Sequence, residues 1–242
     1  MKICYIVALC CIALWPYSIY AQHESESPIP YFRYSATAGL GATQLHGDLD
    51  RRIIGPAVYL KGNYFLTHGI SIGLELQEGL LLGKDEQEID GILRQTVNLY
   101  HAAVLGVTFQ PIKYLQDDHL RRIEYRQSFG RRTLNSVYVG AGAGVLYSMQ
   151  WERSSKTVQR TSPAHEGRDH GLSYILSTNF GFEIPLHSLK PNLLDSYIWS
   201  LVVNGQLNFS LDDDLDGYSG TYPGNENRDS YGLFSVGVNL RF

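Results

Sequence analysis

The sequence predicts an all-β protein: a single antiparallel transmembrane β-barrel of about eight strands, with a short helix in one connection. Eight segments alternate apolar residues with small or polar ones, which is the period-two pattern of strands. The composition agrees, because the 242 residues are 44% hydrophobic and only 18% charged. A disordered chain would carry less apolar material and more charge. A strongly basic nucleic-acid-binding protein is also excluded, since 20 Lys and Arg face 24 Asp and Glu.

The first segment of the chain has the features of a secretory signal peptide. Lys2 precedes an apolar run over residues 3–15, and Ala21 offers a small residue for cleavage. The segment contains all three cysteines, Cys4, Cys10 and Cys11. We therefore expect a mature chain without disulfide or thiolate chemistry. A lipoprotein anchor is the alternative, although no small residue directly precedes these cysteines. The predicted division is a signal peptide (1–21), a polar leader (22–30) and one barrel domain (31–242).

The two faces of the predicted strands favour a membrane over water. The row opposite the apolar one consists mostly of Gly, Ser, Thr, Asn and Gln, whereas the outer row of a soluble barrel is rich in Lys and Glu. In a membrane barrel the apolar row faces lipid and the small polar row fills the interior. A soluble barrel with an apolar core is the alternative. The predicted aromatic girdles are Tyr64, Phe109, Phe182, Trp199 and Phe242 at one end, and Tyr147, Trp151, Tyr174, Phe209 and Phe234 toward the other.

The last segment, Val236-Gly237-Val238-Asn239-Leu240-Arg241-Phe242, resembles the closing strand of Gram-negative outer-membrane barrels. The chain as a whole, roughly from residue 31 to 242, resembles the small OmpA/OmpX-like outer-membrane β-barrel family. Residues 41–49 are also similar to the first-strand segment of an uncharacterised branch of that family. The resemblance implies an outer-membrane location, contact with lipid and lipopolysaccharide, and recognition of Phe242 as a sorting signal by the insertion machinery.

The connection between the second and third segments predicts a charged contact inside the barrel. Thr67-His68-Gly69 forms a three-residue turn if Leu66 lies opposite Ile70, and we expect Gly69 to adopt a positive φ there. This register places Lys61 directly across from Glu75 on the interior face. Such an enclosed pair would neutralise two charges in a narrow lumen. We expect a structural role for it, with an ion or proton path as the alternative.

The connections divide into longer polar ones on the outer side and shorter ones on the periplasmic side, with one exception. Residues 111–135 form a long, basic periplasmic connection. Four apolar residues of this segment would share one face of a helix: Ile112, Leu115, Leu120 and Ile123. The pattern indicates a short amphipathic helix near the inner leaflet. Docking to a periplasmic protein partner and an ordinary solvated helix are the alternatives.

One predicted loop contains part of a metal-binding motif. Asp212, Asp214 and Asp216 are followed by Gly217, as in the opening of a calcium loop. The closing Glu is missing, because Pro223 stands at its position. We therefore expect a solvated loop tip and no cofactor, with calcium as the alternative.

Two histidines also stand out. His170 opens the sixth segment near the outer rim, three residues before Ser173, and could serve as a base in a hydrolase. His101 is the one polar residue noted on the lipid-facing row in mid-strand, which indicates either contact with another barrel or a tolerated neutral imidazole.

These observations favour a non-enzymatic envelope protein, with a structural or surface-interaction role, over two alternatives. Closing about eight strands leaves a lumen just large enough for its own side chains, so bulk diffusion of solutes is not expected. The first alternative is an enzyme acting on lipid or peptide at the outer rim. The second is a barrel subunit of a secretion or transport assembly. No phosphate loop, dinucleotide fingerprint or nucleic-acid motif is present in the sequence.

Overall fold

The computed structural model describes residues 32–46, 51–84, 95–115, 128–153, 170–186, 198–211, 215 and 229–242. Eight antiparallel strands pair in chain order, and β1 pairs with β8 to close one barrel. The strands are β1 (Tyr34–His46), β2 (Arg51–Phe65), β3 (Ile70–Lys84), β4 (Gln95–Phe109), β5 (Tyr138–Arg153), β6 (His170–Pro185), β7 (Ile198–Ser210) and β8 (Ser230–Arg241). The predicted all-β barrel is confirmed.

The connection between β4 and β5 contains two short helices, α1 (Pro111–Tyr114) and α2 (Phe129–Asn135). A helix in this connection was predicted and is confirmed, but Leu120 and Ile123 of the proposed apolar face lie outside the described residues. Ser136 fixes the end of α2 against β6, because its hydroxyl donates to the carbonyl of Thr133 at 2.7 Å and accepts from the amide of Glu183 at 2.9 Å. None of the described helices is long and apolar enough to cross a membrane.

The strands bury the small polar row and expose the apolar row, as a membrane barrel requires. Leu40 and Phe180 are 70% and 66% exposed on the outside, whereas Ser35 and Asn208 are buried in the interior. This arrangement is the reverse of the soluble-barrel alternative. Aromatic side chains are exposed toward both ends of the strands. They are Tyr34, Tyr64, Phe109, Trp199 and Phe242 at the end of the barrel that holds the chain terminus Phe242, here called the inner end, and Tyr147, Tyr174, Phe209 and Phe234 toward the opposite end, here called the outer end. The side chain of Trp151 lies outside the described residues.

The turn between β2 and β3 has the predicted register, but its glycine is required for a reason other than the predicted one. The amide of Leu66 donates to the carbonyl of Ile70 at 2.9 Å, which confirms that these residues lie opposite each other. The φ of Gly69 lies outside the left-handed region, so the expected positive φ is wrong. A Cβ at Gly69 would instead lie 2.8 Å from the backbone nitrogen of Tyr114 in α1. Glycine is needed here because α1 packs directly against the turn.

Candidate functional site

The interior of the barrel contains the predicted ion pair between β2 and β3. Lys61 and Glu75 are register partners, and Nζ of the lysine lies 3.2 Å from Oε2 of the glutamate. The other carboxylate oxygen accepts a hydrogen bond of 2.7 Å from Gln77, which in turn accepts one of 3.1 Å from the hydroxyl of Tyr231. Both oxygens of Glu75 are thus engaged, which offsets the cost of removing the charge from water.

A second interior ion pair lies near the inner end of the barrel. Nη2 of Arg241 lies 2.7 Å from each carboxylate oxygen of Glu183. The guanidinium also stacks over the ring of Phe65, 4.6 Å from its centroid, a favourable cation–π geometry. The sequence pattern places both residues on the interior row, but it does not predict their contact. The reason is that β6 and β8 are not neighbours, so no turn register relates the two residues.

Polar side chains extend from this second ion pair across β7, β8 and β1. The hydroxyl of Ser200 lies 3.5 Å from Oε2 of Glu183 and accepts a hydrogen bond of 3.1 Å from Asn239. Asn239 in turn accepts one of 3.0 Å from the hydroxyl of Thr37. These contacts tie the closing strands of the barrel together, because they join side chains that are far apart in the chain.

A small polar cavity lies between the two ion pairs. Its volume is about 30 Å³, and its lining includes Lys61, Glu75, Gln110 and Glu183. A space of this size holds about two water molecules. The side chains of the two ion pairs and their neighbours therefore fill most of the space between them.

The outer half of the lumen contains a buried apolar cluster, which the sequence pattern does not predict. The interior row was expected to be mostly small and polar, and in this half it is apolar, because interior positions that do not meet water gain stability from apolar packing. The cluster comprises Leu45, Leu81, Tyr100, Ala102, Val104, Leu146, Ile175, Leu215 and Tyr231. The rings of Tyr100 and Tyr231 meet at 5.1 Å between centroids, which joins the cluster to the Lys61 network.

Leu215 reaches this cluster from the connection between β7 and β8. Its side chain is fully buried. Its backbone amide donates to Oδ2 of Asp229 at 2.8 Å, and its carbonyl accepts from Nδ2 of Asn98 at 2.8 Å. The expectation of a solvated tip is therefore wrong at this residue. The burial of Leu215 could have been predicted from the sequence, where it is an isolated leucine among aspartates. An apolar side chain in a polar loop gains stability from burial.

The candidate calcium ligands Asp212, Asp214 and Asp216 lie outside the described residues. Within the residues that the structure does describe, no group of three metal-ligating side chains comes together. Calcium binding by the aspartates thus stays the alternative to a loop without a cofactor.

The proposed catalytic base His170 does not lie beside Ser173. His170 is exposed at the start of β6, whereas Ser173 is buried on the interior row. Because side chains alternate along a strand, residues three apart point to opposite faces. The pair therefore lacks the nucleophile–base geometry of a hydrolase.

The inner end of the barrel carries an exposed apolar patch on α1 and α2. It is formed by Tyr114, Leu115, Phe129 and Leu134, all at least half exposed. Arg131 is exposed in the same region. This combination of apolar and basic side chains fits the predicted contact with the inner leaflet, which stays a prediction, as does docking to a periplasmic partner.

No family model matches this chain, and no curated protein matches it. The solved structures similar to it include Neisserial surface protein A (NspA), with 12% sequence identity and a TM-score of 0.46 over 86% of this chain and 97% of that one. Ail, the attachment invasion locus protein of Yersinia pestis, was solved in complex with the heparin analogue sucrose octasulfate; it shows 15% identity and a TM-score of 0.43 over 88% and 100% of the two chains. The outer membrane protein OprG from Pseudomonas aeruginosa shows 11% identity and a TM-score of 0.40 over 88% and 97%.

Proposed function

We propose that this chain is an integral outer-membrane protein with a closed lumen, and that it has a non-enzymatic structural or surface-interaction role in the envelope. The observation that carries the proposal is that apolar side chains face outward and charged and polar side chains face inward, which is the reverse of a soluble barrel. Leucines and aromatic side chains are exposed outside, while two ion pairs and the apolar cluster occupy the interior. Lipid is the solvent that stabilises such an exterior.

The closed lumen supports a role that does not depend on passage of solutes. The Arg241–Glu183 pair lies near the inner end, and the Leu215 cluster lies in the outer half. Contact with other molecules is then made by the rims and by the lipid-facing wall. Lipid, lipopolysaccharide and the insertion machinery are the partners we propose, with Phe242 as the sorting signal. Phe242 also closes the barrel seam, because its amide and carbonyl each bond to Tyr34 at 3.0 Å.

Leu74→Arg is the test of the lipid-facing exterior. Leu74 is half exposed on the apolar outer row of β3, opposite Leu105. We expect the substitution to lower the free energy of unfolding in phospholipid vesicles by about 2–4 kcal/mol, because a cation near the middle of a bilayer is destabilising. The matched control is Leu66→Arg, at an exposed leucine in the inner turn, where about 0–1 kcal/mol is expected. Equal, negligible effects of both substitutions in urea titrations would contradict the lipid-facing assignment.

The closed lumen is tested by solute retention. Vesicles containing the folded protein are expected to hold glucose as well as protein-free vesicles do, whereas vesicles with a large porin release it within the mixing time. The physical reason is that a cavity for about two waters gives glucose no path. Rapid protein-dependent release of glucose would rule out the closed lumen and favour the transport alternative.

A further inference from the structure

The outward-facing surface of the barrel carries a groove that crosses the seam between β8 and β1. Its lining includes three residues with small or no side chains, Gly205 on β7, Gly232 on β8 and Ala42 on β1, and its volume is about 760 Å³. The exposed apolar side chains that border it are Phe180, Leu207, Phe234 and Ile54. Pockets that hold a small molecule have volumes of about 300–1,000 Å³, so the groove is large enough for a ligand.

Cross-strand pairing explains the shape of this groove. Gly205 is the register partner of Phe180 on β6 and of Phe234 on β8, and Gly232 is the partner of Leu207. The ring of Phe180 leans over Gly205, because a Cβ there would lie 3.0 Å from Cε1 of the ring. A Cβ on Gly232 would meet nothing closer than 3.8 Å. The glycines thus leave an apolar channel between larger side chains, which suits a flexible hydrocarbon chain.

Basic side chains stand at the outer end of this groove, on three consecutive strands. His46, which lines the groove, ends β1, Arg52 is the second residue of β2, and Lys84 ends β3. His46 and Lys84 follow buried residues on their strands and so face outward, and Arg52 is exposed. In the part of the chain that the structure describes, no carboxylate pairs with any of the three. Asp50 and Asp85, which adjoin this basic row in the chain, lie outside the described residues.

A second histidine of the outward-facing row lacks this positive setting. His101 on β4 is the register partner of Glu78 on β3, and its Nδ1 atom lies 3.8 Å from Oε2 of that glutamate. His101 is therefore not the one polar residue on this row, because an acidic residue stands directly across from it. The carboxylate would repel an anionic headgroup, so the wall attracts anions at the basic row and not at His101.

We propose that the groove and the basic row together bind one molecule of lipid A, the lipid anchor of lipopolysaccharide. The proposal rests on the outer-membrane location proposed above, and it names the lipid that this part of the wall selects. One acyl chain occupies the channel over Gly205 and Gly232. The phosphates accept charge-assisted hydrogen bonds from Arg52 and Lys84.

The spread of the basic row favours lipid A over the other occupant, a glycerophospholipid. Neighbouring strands lie about 4.8 Å apart, so side chains on three consecutive strands span about 10 Å. Lipid A carries a phosphate on each of its two sugars, whereas a glycerophospholipid carries a single phosphate next to its acyl chains. A row of this length contacts two separate phosphates, and one phosphate would leave part of the row without an anionic partner.

Native mass spectrometry tests the choice of lipid. The full chain is expressed with its leader, purified from membranes and freed of bound lipid in detergent. Diphosphorylated lipid A, the same lipid without phosphates, and phosphatidylglycerol are then titrated separately. We expect one molecule of diphosphorylated lipid A to bind about tenfold more tightly than either of the other two. Equal affinity for diphosphorylated lipid A and phosphatidylglycerol would overturn the proposal, because the wall would then accept any anionic lipid.

Arg52→Gln combined with Lys84→Gln tests the basic row. We expect lipid A to bind this double variant about twentyfold more weakly than the parent, since each Lys or Arg near a lipid surface contributes about fivefold in affinity. The matched control is Arg131→Gln, which removes an exposed cation from α2 at the inner end and is expected to leave the affinity unchanged. If the double variant bound lipid A as tightly as Arg131→Gln, the basic row would have no part in binding and the proposal would be wrong.

Gly232→Leu tests the groove, because it places a side chain in the channel where a Cβ is tolerated. We expect about tenfold weaker binding of lipid A. The control is Gly62→Leu, at an exposed glycine of β2 where a Cβ meets nothing within 4 Å, and it is expected to bind like the parent. Equal binding by the two variants would contradict the assignment of the acyl chain to this channel.

Insertion into phospholipid vesicles, followed by protease resistance, is measured for the parent and for each variant. A parent that inserts but shows no preference for lipid A would contradict this inference alone. A parent that does not insert would contradict the membrane location as well. Variants that insert like the parent and bind lipid A less tightly would support the site.

Discussion

Arg241→Ala is expected to lower the free energy of unfolding by about 3–5 kcal/mol, because it leaves the carboxylate of Glu183 uncompensated inside the barrel. The two side chains are only 15% and 14% exposed, and Nη2 of the arginine lies 2.7 Å from both carboxylate oxygens. The substitution also removes the stacking of the guanidinium over Phe65. The loss is measured by urea unfolding in phospholipid vesicles, followed by tryptophan fluorescence.

Two further variants show whether the lost stability comes from breaking the ion pair or from removing an arginine in general. Arg131→Ala, at an exposed position of α2, is expected to change the free energy of unfolding by less than about 0.5 kcal/mol. Glu183→Gln combined with Arg241→Met removes both charges, and we expect it to recover most of the lost stability, since no isolated charge remains. If Arg241→Ala were as mild as Arg131→Ala, the contact with Glu183 would not stabilise the barrel.

The strands, their faces and the first ion pair could be predicted because each depends on local information. Period-two alternation defines a strand and its two faces within a few residues. The turn of three residues after Leu66 fixes the register of β2 against β3, and this register alone places Lys61 opposite Glu75. The glycine in that turn was predicted for the wrong reason, because the approach of Tyr114 depends on the path of a later connection.

The second ion pair, the burial of Leu215 and the contact between Glu78 and His101 depend on information that no single segment contains. Glu183 and Arg241 meet across β7, so their contact follows from the stagger of the closed barrel. Leu215 is held by Asn98 and Asp229, which are far from it in the sequence. Glu78 and His101 lie on strands joined by a long connection, which leaves the register undetermined by the turn. Extending the alternation of β3 by one further residue would, however, have placed Glu78 on the lipid-facing row.

Gly39→Val is expected to destabilise the barrel by about 3 kcal/mol, because the two neighbouring strands, β2 and β8, leave no room for a side chain at this position. A Cβ on Gly39 would collide with the ring of Tyr59 on β2. It would also lie 2.5 Å from the carbonyl oxygen of Val236 and 2.7 Å from Cα of Gly237 on β8. The glycine thus allows the tyrosine ring to lie over the seam between β1 and β8. The folded fraction in vesicles, measured by protease resistance and urea titration, reports the loss.

The matched control is Gly62→Val, because Gly62 lies on the adjacent strand and a Cβ there meets nothing within 4 Å. We expect this variant to be as stable as the parent, or slightly more so, since a side chain restricts the unfolded chain. Tyr59→Ala in the Gly39→Val background separates the two sources of the clash. The double variant is expected to remain unstable, because the backbone of β8 cannot retreat without breaking the seam. If the double variant were as stable as the parent, the ring of Tyr59 alone would require the glycine, and the backbone of β8 would be able to move away from the new side chain.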